Sequence, residues 1–114
     1  MPTTAQYQGV IDALASIRLA ESALDDLLAT ASGSVQAHTL NIIYSQLNGA
    51  VTLLIQAQMA ADDAIFTQAS ASLKAQAAVL QASEQALQKI VADVGHAAKI
   101  IDYIAKAAAL IAAL

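Results

Sequence analysis

Two groups of side chains in this sequence have types and spacings that could support chemistry: Asp93-x-x-His96, and the acidic set Glu21, Asp25 and Asp26. A carboxylate and an imidazole three residues apart share one face of a helix, and helical bundles hold di-iron and di-manganese centres with Glu-x-x-His pairs on facing helices. The match here is distant. The acid is an aspartate, and neither glutamate, Glu21 or Glu84, has a histidine three residues on. Lys99 follows on the same strip, where its ammonium opposes a bound cation. The plainer reading is a row of surface polar residues, and no metal or cofactor is expected.

Glu21 and Asp25 stand four apart, the spacing that pairs two carboxylates on a helix face for general acid–base work. Arg18 precedes Glu21 by three, and a solvated ion pair accounts for both. Asp62-Asp63 reads as a helix start, since acidic side chains cap the first amides and complement the helix dipole. His38 and His96 fall on different helices, with no G-x-S-x-G elbow and no phosphate-binding glycine loop. The expectation is a protein that is not an enzyme.

The elements carrying these residues are helical throughout. Hydrophobic residues make up 58% of the 114 residues and charged residues 12%, with aromatics at 4%. The mean hydropathy is +0.57. Alanine supplies much of this, so helix is favoured everywhere while each core position buries little area. Five basic residues are scattered among nine acidic ones, which excludes the clustered cationic face that nucleic acids require. There is no cysteine, and the N-terminal segment lacks the pattern of a secretory signal. A single domain over 1–114 is expected, resident in the cytoplasm unless exported without a signal.

Thr3 and Gln6 have the spacing of a capping box, which starts a first helix near Thr4 and runs it to Ala31. Tyr7, Val10, Leu14, Ile17, Leu24 and Leu28 form its apolar stripe, interrupted by Glu21. The Ser-Gly-Ser at 32–34 supplies a left-handed C′ residue and then an N-cap. A second helix from Ser34 to Ala61 carries Leu40, Ile43, Leu47, Ala50, Leu54, Ala57 and Ala61 on one side. His38, Asn41, Ser45, Asn48, Thr52 and Gln56 line the other. A ridge of hydroxyls and amides argues against a bilayer span, which needs about 20 predominantly apolar residues. Residues 27–61 nevertheless hold no charged side chain.

Beyond Asp63, Phe66, Leu73, Leu80, Leu87, Val94, Ile101 and Ala108 keep a strict seven-residue repeat, accompanied by Ile90, Ala97, Ile104 and Ile111. This predicts a coiled-coil-like helix, interrupted at Gly95 if at all. The fold expected is therefore all-α: an antiparallel up-and-down bundle of three long helices, with a shorter fourth at the C-terminus if the break is real, packed through alanine. Tyr7, Tyr44, Tyr103 and Phe66 are expected in the core or at its rim.

The C-terminal segment confines its polar groups to Lys89, Asp93, His96, Lys99, Tyr103 and Lys106. A helix apolar over most of its circumference is buried or bound to something. The expected function is a helical interaction module that self-associates or binds a partner protein. Leu54, Ile100, Ile104, Ile111 and Leu114 are its expected apolar contacts, with Asn48 and Gln56 as amide contacts. The competing expectation is a membrane- or lipid-surface protein, pore-forming-like or coat-like. In that reading the last helix inserts, and Lys99 and Lys106 keep their heads in water. The absence of tryptophan and the net charge of −4 weigh against it.

Overall fold

The computed structural model describes residues 3–29, 34–60, 62–89 and 94–114. Four helices result: α1 (Thr4–Ala29), α2 (Ser34–Gln58), α3 (Asp63–Gln88) and α4 (Val94–Ala112). No strand occurs among the described residues. α1 packs on α2 and α4, and α3 packs on α2 and α4, which closes a ring of four antiparallel neighbours in a rod of 47 × 19 × 19 Å.

Local chemistry sets the helix starts. The Thr3 amide donates to Gln6 Oε1 at 2.9 Å while the Gln6 amide donates to Thr3 Oγ1 at 3.1 Å, the reciprocal pattern of a capping box. Asp62 sits in extended backbone at φ −144° and ψ 171°, and its Oδ1 accepts from the Ile65 amide at 2.9 Å. One carboxylate thus satisfies an amide that α3 leaves without a helical partner and places negative charge at the positive end of the helix. The expected break near Asp62 and Asp63 is where α2 gives way to α3. The Tyr7 hydroxyl donates to the Ala60 carbonyl at 2.8 Å, tying α1 to the end of that connection, and the Tyr7 ring meets Phe66 edge-on at 6.0 Å. Ser32, Gly33 and Ala61 lie outside the described residues.

The core repeats at alternating steps of three and four in every helix. Val10, Ala13, Ile17, Ala20, Leu24 and Leu27 fill it from α1, and Leu40, Ile43, Leu47, Ala50, Leu54 and Ala57 from α2. Large and small residues alternate over Val10-Ala13-Ile17-Ala20-Leu24 in α1 and Leu47-Ala50-Leu54-Ala57 in α2, which suits close helix packing. Each buried Leu or Ile contributes about 1.5–3 kcal/mol of apolar transfer, and the alanines contribute mainly by letting backbones approach.

The break is real and a shorter fourth helix follows it, but it precedes Gly95. The seven-residue stripe of the sequence spans this break. α3 ends at Gln88 with Lys89 as its C-cap, and Gly95 stands inside α4, in its first turn. Phe66, Leu73, Leu80 and Leu87 are buried as the repeat requires. In α4 the buried row is Ala97, Ile100, Ile104, Ala107 and Ile111, while Ile101 and Ala108 are half-buried at its edge. A reversed helix meets its neighbours from a new direction, and the seam moves around its surface accordingly.

Candidate functional site

The acidic set of α1 lies at the surface. Asp25, Asp26 and Arg18 are exposed and Glu21 is half-buried. Partial burial pushes the Glu21 carboxyl above the ordinary range, Asp25 adds to this, and Arg18 opposes it. Asp25 and then Glu21 raise the hydroxyl of Tyr44 on α2, which marks the charged half of the α1/α2 contact. No cluster of three or more His, Cys, Asp or Glu suited to a metal is present among the described residues. Asp93 and the His96 side chain lie outside them, and His38 is exposed.

The expected contact residues divide sharply. Leu54, Ile100, Ile104 and Ile111 are each 0% exposed. They meet other helices of their own chain, so in this fold they present nothing to a second molecule. The wide apolar face of α4 is likewise turned into the bundle. Leu114 is half-buried and lies over α1, so close that a Cβ on Gly9 would stand 3.3 Å from its Cδ2. Asn48 and Gln56 are exposed on α2. Of the seven, these two amides are exposed, and Leu114 is partly so.

A surface lies around Gln56 that the apolar stripes of the sequence do not include. Ile42, Gln46, Gly49, Leu53 and Gln56 recur at steps of four and three, forming the row of α2 that turns toward α3. The Gln46 carbonyl accepts from Gln76 Nε2 at 3.3 Å, and Gln46 Oε1 accepts from the Ser83 hydroxyl. Gly49 lies beside Gln76, whose Nε2 would stand 3.4 Å from an added Cβ. Gln76 and Ser83 occupy seam positions of α3 that other helices give to Ala, Leu or Ile. The α2/α3 contact is therefore zipped by amides and a hydroxyl.

Outside this zipper runs a groove of about 480 Å³ lined by Gln56, Met59, Ile65, Gln68, Ala69 and Ser72. Three large apolar side chains stand out along this flank: Met59 is 77% exposed, Ile65 48% and Ile42 46%. α2 has no charged residue, and the charges of α3 lie elsewhere than on this side. Lys74 lines a separate groove with Ser70 and Leu114 beside α4, and Glu84 follows Ser70 on the same helical row. Asp62 and Asp63 mark one end of the flank, and Lys89 the other.

The opposite flank differs in kind. The groove between α1 and α4 mixes Asp12 and Lys106 with Leu19, Tyr103 and Leu110. Beneath it the Ser16 hydroxyl donates to the Tyr103 carbonyl at 2.7 Å.

The sequence holds a signal for the missed residues. Ile42-Ile43 and Ile65-Phe66 are doublets of large apolar residues, and adjacent helical positions stand 100° apart, so when one is central to the seam the other falls at or beyond its edge. In both doublets that other residue is about half exposed. No described helix is long and apolar enough to cross a membrane. Compared with protein-family models, with curated proteins and with solved structures, the chain matches none.

Proposed function

We propose that this protein is a non-enzymatic helical interaction module whose contact surface is the uncharged flank formed by α2 and α3. The observation that carries this reading is α2 itself, a helix of 25 residues without one Asp, Glu, Lys or Arg although one side of it faces solvent. Solubility alone favours charges on such a side. Burying an amide or hydroxyl against a partner costs far less than burying an ion, so a flank of Gln, Ser and Thr can be desolvated on contact. Ile42, Met59 and Ile65 supply apolar area for that contact, and exposed methionine adapts to an irregular partner surface. α4 serves the module from within by completing the core that holds α2 and α3 in place.

A photo-cross-linking residue placed at Gln56, in the cells that make the protein, tests the reading directly. Adducts to a second polypeptide, of whatever identity, are expected from Gln56 and not from Ser22 on the outer side of α1. Equal or absent adducts at both positions would contradict it. Liposome flotation that depends on α4 would instead favour insertion of that helix into lipid.

A further inference from the structure

Among the described residues of α2 and α3, charges bound the uncharged flank at its two ends, and they are of opposite sign. Asp62 and Asp63 stand where α3 begins, and Lys89 where it ends, with no charged residue of this side between them. We infer that the flank's occupant is a second copy of this chain, docked antiparallel about a twofold axis that crosses α3 near Ala75. The inference rests on the contact surface proposed above and names what covers it.

Three arguments select this occupant. A twofold interface must be its own complement, because the same patch supplies both sides. Amides and hydroxyls meet that condition, since each both donates and accepts, whereas a patch of one charge sign opposes itself. Net charge is the second argument. At −4 per chain, two copies repel over most of their surfaces, and the flank without charges is where approach is least opposed. The end charges then fix direction. An antiparallel pair sets Lys89 of each copy over the Asp62–Asp63 end of the other, while a parallel pair sets like on like. These are rim contacts, so they orient the pair more than they hold it.

Area is the third argument. One side of a rod 47 Å long and 19 Å across offers roughly 900 Å², close to the 800 Å² or so that each partner contributes to a standard stable interface. Ile42, Met59 and Ile65 lie within that side and supply apolar contact. The smallest of the four helix–helix contacts, between α2 and α3, lies directly beneath it.

Light scattering on the whole chain gives the first test. The expected mass is twice the 11.7 kDa of one chain at concentrations of tens of micromolar and above. A mass of one chain up to about 0.5 mM would overturn the inference. If Gln56 still cross-linked to a different polypeptide in that case, the contact surface would stand and only the identity of its occupant would fall.

Because the chain has no cysteine, single cysteines report the axis without background. With a short thiol-to-thiol cross-linker, Ala75→Cys is expected to link to its own copy. Gln68→Cys self-links at least about tenfold less, because the two positions lie roughly 21 Å apart along the rod at 1.5 Å per residue. Mixing Gln68→Cys with Ala82→Cys restores linkage. All three positions are exposed, so the variants keep the core intact. Self-linking of Gln68→Cys as strong as that of Ala75→Cys would overturn the antiparallel arrangement.

Discussion

The two long flanks of this bundle share a core and differ in nearly everything outside it. Between α1 and α4 the helices pack most extensively, a serine hydroxyl reaches across to a backbone carbonyl, and the surface mixes Asp12 and Lys106 with apolar residues. Between α2 and α3 the packing is the least extensive, the seam is bridged by Gln46, Gln76 and Ser83, and the surface carries no charge between its ends. A flank that has to remain in water gains from mixed charge. A flank that is to be covered gains from neutral polar groups that are inexpensive to desolvate. The difference teaches that in an alanine-rich bundle the surface assigns the roles of the helices, because the interior is much the same on both sides.

The sharpest test of that last statement has the largest effect. Leu54→Ala in α2 and Ile104→Ala in α4 each remove a fully buried side chain, and each is expected to lower unfolding free energy in urea by about 3 kcal/mol. A cost under about 1 kcal/mol at either site would show that its flank does not share the common core.

The hydrogen bonds separate the flanks at smaller scale. Ser16→Ala, at a position 3% exposed, should cost about 1 kcal/mol through loss of the bond to the Tyr103 carbonyl. Ser83→Ala should cost less, because its partner Gln46 is half-buried and can turn its amide to water. Ser70 has the opposite sign. Its hydroxyl is buried with no hydrogen-bond partner among the described residues, so Ser70→Ala should stabilise the chain by up to about 1 kcal/mol in the same assay.

The glycines sharpen the comparison further. Gly49→Ala gains helix propensity, and its new Cβ meets Gln76 at an ordinary contact distance, so a gain of about 0.5–1 kcal/mol is expected from thermal unfolding. Gly9→Ala gains less, because a methyl group of Leu114 must yield by a few tenths of an ångström.

The smallest effect is one of pH. Burial raises the carboxyls of Glu84 and Glu21 above the ordinary glutamate range, with Asp25 adding at Glu21. The folded chain therefore keeps these protons to higher pH than the unfolded chain does. What these groups contribute to stability is present below the ordinary glutamate range and is lost as pH rises through the folded value. Glu84→Gln should accordingly raise the melting temperature slightly at about pH 7, and the difference should vanish below about pH 4. A destabilised Glu84→Gln at neutral pH would show that its carboxylate has a stabilising partner instead.

How much of this was legible in the sequence depends on whether a feature is written locally. Thr3 with Gln6 and the pair Asp62-Asp63 carry their own capping chemistry, so the starts of α1 and α3 could be read from a few residues. The reversal before α4 is not written that way. Leu87, Val94 and Ile101 keep step across it, and periodicity registers which residues are apolar without registering the direction in which the chain runs. For the contact surface the difficulty was of the same kind. Ile100, Ile104 and Ile111 are apolar enough for an interface, but the stripe that would bind a partner is the stripe that builds the core, and the chain's own helices occupy it first. Gln56 and Asn48 were legible as amides on a helix without charges. The part played by Ile65 and Gln68 required α3 to be placed beside α2.

On the proposed reading the α2/α3 flank, and no other, is where this molecule meets its partner. The most direct measurement is the sedimentation equilibrium mass of Ile42→Lys/Ile65→Lys beside that of Leu19→Lys. All three residues are large, apolar and about half exposed, and Leu19 lies in the α1/α4 groove. The double variant is expected to sediment as one chain with its helical content unchanged, while Leu19→Lys keeps the mass of two. A double variant that remains paired, or a Leu19→Lys variant that falls apart, would contradict it.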